Sequence, residues 1–114
     1  MTNRHPMQQR TIGILFNDFQ LGGCERVAIR LANVWASMGF HVILYVANDV
    51  GNQRALIGAG VEVMCADPPI ETSRHQAMRL GQWVGRRAGV DRPVAYFLPG
   101  NSYFPAARPL SLAT

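Results

Sequence analysis

The chain has 114 residues, a formal net charge of +4, 48% hydrophobic and 16% charged residues, a globular rather than a disordered composition. All 11 basic residues are Arg, and the absence of Lys excludes a P-loop, a Schiff-base enzyme and a phosphoacceptor receiver domain. The length suits one domain that buries roughly 65% of its unfolded surface.

Residues 1–10 read as a polar, basic, flexible leader, with 11–114 as the folded part. The run 11–17 is apolar enough for a strand buried on both faces, and 18–23 form a loop marked by Gly22-Gly23. A helix is expected over 24–38: Val27, Leu31, Val34 and Met38 recur at helical spacing, and only Arg26, Arg30, Asn33 and Ser37 form a polar stripe. Gly39 is its stop. A second strand covers 41–47, a short helix 53–57 and a third strand 61–65, which Asp67-Pro68-Pro69 ends. A further helix is expected over 72–88, closed by Gly89. A fourth strand covers 93–98, and the residues from Asn101 onward have no assignable period.

The longest apolar runs, such as 42–47, are far below the roughly 20 residues of a membrane span. The apolar stretch 12–16 is too short for a signal-peptide core. A cytoplasmic protein with reduced thiols is therefore expected, since two Cys make no disulfide framework.

Alternating strands and helices with near-continuous apolar strands imply an α/β fold around a parallel sheet. For strand order 3-2-1-4, right-handed crossovers put the first two helices on one face and the third on the other. The chain then reverses between strands 1 and 4. Ligands of open parallel sheets bind at that switch point, beyond the C-terminal strand ends, which here means loops 17–24 and 99–103.

Gly22-Gly23 sits between the first strand and the first helix. Glycines admit close backbone approach, and a helix N-terminus offers unpaired N–H groups and partial positive charge. Such a place favours phosphate or carboxylate; the plainer reading is a tight turn. The dinucleotide fingerprint G-x-G-x-x-G is absent.

The wider stretch Leu21-Gly22-Gly23-Cys24-Glu25-Arg26-Val27, with Gly39-Phe40-His41-Val42 before the second strand, resembles the N-terminal domain of family 4 glycosyltransferases. Ala59-Gly60-Val61-Glu62-Val63 and Asp91-Arg92-Pro93-Val94-Ala95 are similar to the same family, and the resemblance spans about residues 11–100. It implies a GT-B architecture of two Rossmann-like domains facing a cleft, of which this chain is a partial N-terminal one, incomplete at its C-terminus. It also implies a retaining transfer of sugar from a nucleotide-sugar co-substrate to a sugar or lipid-linked acceptor, with no other cofactor. The N-terminal domain holds the acceptor, and Gly22 and Gly23 face the donor diphosphate. A separate C-terminal domain binds the nucleotide and carries an E-x7-E motif, which is missing here: Glu62 and Glu71 are nine apart. Where the family often has a His after the fourth strand, this chain has Leu98-Pro99-Gly100-Asn101-Ser102-Tyr103, leaving Asn101 and Tyr103 as candidate acceptor contacts.

Asn17 and Asp18, at the end of the first strand, are candidates for binding a sugar hydroxyl or for capping the loop. Glu25 and Arg26 are candidate ligand contacts. Their plainer roles are an acid favoured by the helix dipole and a solvated arginine. Cys24 at a helix start is read as a small inert residue, Cys65 as core, and His41 and His75 as surface. No His or Cys pair has metal-ligand spacing, so no metal is expected.

The helix over 72–88 carries Arg74, Arg79, Arg86 and Arg87. It is a candidate for peripheral contact with the inner face of a membrane, against a plain solvated face. No nucleic-acid-binding motif accompanies the charge. The fourth strand leaves an apolar edge that natural sheets avoid, so a longer parent chain or a partner is expected, and the chain alone is expected to be inactive. The alternatives are a stand-alone α/β module that binds a phosphorylated small molecule at Gly22-Gly23, and a truncated product that does not fold stably.

Overall fold

The computed structural model describes residues 10–20 and 22–113. Except for Arg10, the leader expected over 1–10 lies outside them, as do Leu21 and Thr114. Four strands, β1 (Thr11–Phe16), β2 (His41–Val46), β3 (Val61–Cys65) and β4 (Ala95–Phe97), form one parallel sheet in the order β3-β2-β1-β4. This is the Rossmann-like α/β arrangement expected from the alternation of elements.

The two central strands explain their own composition. Ile14 and Phe16 of β1 and Val42, Leu44 and Val46 of β2 face helix α1 (Gly23–Ser37), packing on its Ala28, Ile29 and Ala32. The residues between them, Leu15, Ile43 and Tyr45, face helix α2 (Gln76–Arg86) through Leu80 and Val84. Burying one such aliphatic or aromatic side chain contributes roughly 1.5–3 kcal/mol. A strand covered on both faces therefore has no position at which a polar residue is cheap. Ile57, just after a 3₁₀ turn over Gln53–Leu56, joins the α1 layer. That layer thus holds the first two helical elements, and α2 lies opposite, as expected.

Gly13 lies where β1 passes beneath two rings. A Cβ there would sit 2.9 Å from Tyr45 Cε2 and 2.9 Å from Tyr96 Cδ1, so glycine lets the rings of β2 and β4 close over β1. Tyr45 donates to Asp91 Oδ2 at 2.6 Å, and the Arg87 guanidinium grips both Asp91 oxygens at 3.0 and 3.1 Å. This fork ties the end of α2 to the sheet.

The elements differ most from the sequence expectation around α2, at β4 and in the tail. Helix α2 starts at Gln76 rather than 72, because Ser73 Oγ and Ser73 O accept the His75 and Gln76 amides in a local turn that competes with helix. It ends at Arg86 rather than 88. Gly89 is not a stop but lies within a one-turn helix, α3 (Ala88–Asp91), which Arg92 closes in the left-handed region at φ 51°. Strand β4 is shorter than 93–98, since Pro93 and Pro99 lack the N–H a ladder needs. The unassigned tail is helical: a 3₁₀ helix over Asn101–Ala106 runs into α4 (Ala107–Ala113) and covers the α2 face through Tyr103, Ala106 and Leu110.

Gly81 of α2 touches that tail. A Cβ there would meet Ala106 O at 2.6 Å and Ala106 Cα at 2.7 Å, both backbone atoms. Gly81→Ala is expected to cost about 1–3 kcal/mol, read as a drop in Tm in a circular-dichroism melt. Gly89→Ala, whose Cβ would meet nothing within 4 Å, should not lower Tm.

Candidate functional site

The structure brings the two expected loops together at the C-terminal edge of the sheet. Gly22 is the N-cap of α1, extended at φ −161° and without a side-chain cap. Gly23 is exposed, and a Cβ on it would meet nothing within 4 Å, so the first turn of α1 is sterically open there. On the other side, Gly100 lies against this turn: its Cβ would be 3.0 Å from Cys24 Sγ. The exit of β4 thus passes beside the start of α1, where the order of strands reverses.

Three of the candidate residues join in one hydrogen-bond chain. The Asn17 amide donates to Tyr103 Oη at 2.9 Å, and Tyr103 Oη donates to Glu25 Oε2 at 2.7 Å. Tyr103 is fully buried. Its expected role as an acceptor contact is therefore corrected: the hydroxyl is committed inside the protein and joins the end of β1 to the first turn of α1. Burial pushes the Tyr103 phenol well above the ordinary tyrosine range, and the Glu25 carboxylate adds to the shift. The ring stays neutral and donates. The other carboxylate oxygen, Glu25 Oε1, lies over Gly22, where a Cβ would be 2.5 Å away. Glu25 therefore places negative charge beside the helix N-terminus, as the dipole favours.

The other candidates separate. Asp18 Oδ1 accepts the Gln20 amide at 3.0 Å and closes an Asx turn, which is its capping role. Arg26 is exposed and, with Ile29, Arg30, Asn33 and Leu56, lines a cavity of about 430 Å³ on the flank of α1 rather than the loop. Asn101 is exposed at the exit of β4. Asn17 keeps its side-chain Oδ1 buried without a hydrogen-bond partner. Cys24 is exposed, and Cys65 is half-buried rather than fully in the core; burial raises its thiol pKa. His41 is half-exposed between Thr11 Oγ1 at 3.1 Å and Glu62 Oε1 at 2.8 Å.

Two residues outside the expected site hold the loop in place. Gly51, at φ 105°, bridges to Phe19, and a Cβ there would overlap the Phe19 carbonyl. Gln53 is buried; its amide donates to Phe19 O at 3.0 Å and its Nε2 to Gln20 O at 2.5 Å. The glycine after Asn48-Asp49 is a turn signal, but nothing in the sequence marks Gln53 as buried. Among the described residues, no three His, Cys, Asp or Glu side chains form a metal-holding group. Among the described residues, no helix is long and apolar enough to cross a membrane.

No family model, no curated protein and no solved structure matches the chain.

Removing the Tyr103 hydroxyl leaves the Asn17 amide unpaired. Tyr103→Phe is expected to cost about 1–3 kcal/mol in urea unfolding at neutral pH. A phenol whose pKa is raised by folding gives its full stabilisation below the unfolded value near 10, and loses it as pH rises above that. Tyr45 is raised in the same way, by burial and by Asp91. The wild type should therefore lose stability above about pH 10, and Tyr103→Phe should lose less over that range.

Proposed function

We propose that this chain is the acceptor-side, N-terminal part of a retaining glycosyltransferase that moves a sugar from a nucleotide-sugar donor. The observation that supports it best is the juxtaposition of the open Gly22-Gly23 helix start with the exit of β4 at the reversal of the sheet. This is where open parallel sheets take ligands.

In this reading the Gly22 and Gly23 backbone faces the donor diphosphate, with Gly23 open and the Glu25 carboxylate lying over Gly22. Asn101, exposed at the exit of β4, is the group for acceptor hydroxyls, whereas Asn17 Oδ1 is buried and stays inside the protein. Nucleotide binding belongs to a second domain. The Glu25 carboxylate supports this division of labour: it offsets part of the α1 potential, so the loop alone holds an anion weakly. Tyr103 keeps Glu25 aligned, leaving the first-turn N–H groups facing the cleft. A stand-alone module for a phosphorylated small molecule would need its affinity from this same loop.

Amide chemical shifts in a titration with nucleoside-diphosphate sugars test the reading. Gly22, Gly23 and Cys24 are expected to move, with a Kd on the order of 1 mM. Gly23→Glu, which has room for its side chain, should abolish the change. Incubation of the chain with labelled donors should give no transfer. Turnover by this chain alone, or no shifts at the loop, would overturn the proposal. Micromolar binding without turnover would favour the stand-alone module.

A further inference from the structure

The outer surface of the α2 layer has a charge pattern that the site does not use. Between Glu71 and Asp91 the sequence has four arginines and no carboxylate, and after Asp91 it has two more and again none. Arg87 is committed to Asp91. The side chains of Arg79, Arg86 and Arg108 have no ion pair among the described residues.

The tail that covers α2 also exposes two large apolar side chains, of which Leu112 lines one groove with Arg86 and Arg108. Phe104 is 75% exposed and Leu112 76%. Arg108 and Leu112, four apart in α4, share one side of that helix, and Phe104 is exposed in the 3₁₀ helix that leads into it. The inward side is already supplied by Tyr103, Ala106 and Leu110, and the fold does not need the outward pair. Gly85 brings the helices close: a Cβ there would be 3.1 Å from Ala113 Cβ. A groove of about 850 Å³ remains between α2 and α4, walled by Met78, Arg86, Arg108 and Leu112.

We propose that this face docks on a bilayer surface containing anionic lipid. Phe104 and Leu112 enter the apolar boundary, and Arg79, Arg86 and Arg108 pair with headgroup phosphates, which guanidinium binds in a fork. Such a surface needs both apolar burial and cationic charge, and this face has both. Charge complementarity selects the occupant: a second copy would set arginines against arginines, and a neutral apolar partner would leave them unpaired. The proposal is independent of the transferase reading and requires no chemistry at Gly22-Gly23.

Co-sedimentation with vesicles tests it. The chain should bind phosphatidylglycerol–phosphatidylcholine vesicles, bind pure phosphatidylcholine far less, and lose binding as salt is raised. Arg108→Glu should weaken binding at least fivefold, the effect of about one arginine near an anionic surface. Arg30→Glu, the same change of net charge on α1 across the sheet, should leave binding unchanged. Phe104→Ser with Leu112→Ser removes two exposed groups and spares the core; it should weaken binding with the salt dependence retained. Equal binding to both vesicle types, equal loss from Arg30→Glu and Arg108→Glu, or no loss from the serine variant would overturn the proposal. So would a dimer in gel filtration that the serine variant dissociates.

Discussion

Everything in this fold depends on covering β1 and β2 from both sides at once. Ile14, Leu15 and Phe16 are each fully buried, as are Leu44, Tyr45 and Val46, and consecutive residues of a strand face opposite layers. The sheet is therefore stable only while α1 and the helices opposite it are both in place. The same requirement sets direction. Covered parallel strands need helical crossovers, and these bring every strand-to-helix loop to one edge. The meeting of Gly22-Gly23 with Gly100 follows from that geometry rather than from any attraction between the loops.

The sheet was legible because its signal is redundant. Four apolar runs, separated by turn residues, allow few alternatives once right-handed crossovers are imposed, and β1 to β4 take the expected order. The boundaries were less legible because local competitors set them. Ser73 delays α2 through one side-chain hydrogen bond, and the prolines around β4 remove donors at both ends. The tail was not legible at all. Asn101-Ser102-Tyr103-Phe104-Pro105 has no clear period, and a proline within it argues against a regular helix; packing of Tyr103, Ala106 and Leu110 on α2 overrides that preference.

The candidate site was legible in its backbone and less so in its side chains. A glycine pair before a helix announces an open first turn, and that turn is open at Gly23. Which side chains point out of the protein is a tertiary matter. Tyr103 was a reasonable surface candidate because a phenol suits either a ligand or an internal bond. The choice was made by Glu25, which lies 78 residues away in sequence yet accepts its hydrogen bond. Asp18 was settled locally, by the Gln20 amide two residues on. The burial of Gln53 is not legible because it lies on a short 3₁₀ turn, where periodicity carries little information.

The 3₁₀ turn at Asn101–Ala106 links these observations. Its Tyr103 points inward and fixes the β1–α1 loop through Asn17 and Glu25, while the adjacent Phe104 points outward into solvent. One short segment thus serves the sheet edge with one residue and the outer face with the next. The two roles make opposite demands on chemistry. Tyr103 needs a hydroxyl with both a donor and an acceptor partner in a buried place, where losing either is costly. Phe104 needs only apolar area and makes no such bond. A polar residue at 104 therefore leaves the loop anchored, whereas an apolar ring at 103 leaves the outer face intact and an amide at the end of β1 unsatisfied. The loop and the outer face are neighbours in sequence, but separate in the forces that hold them.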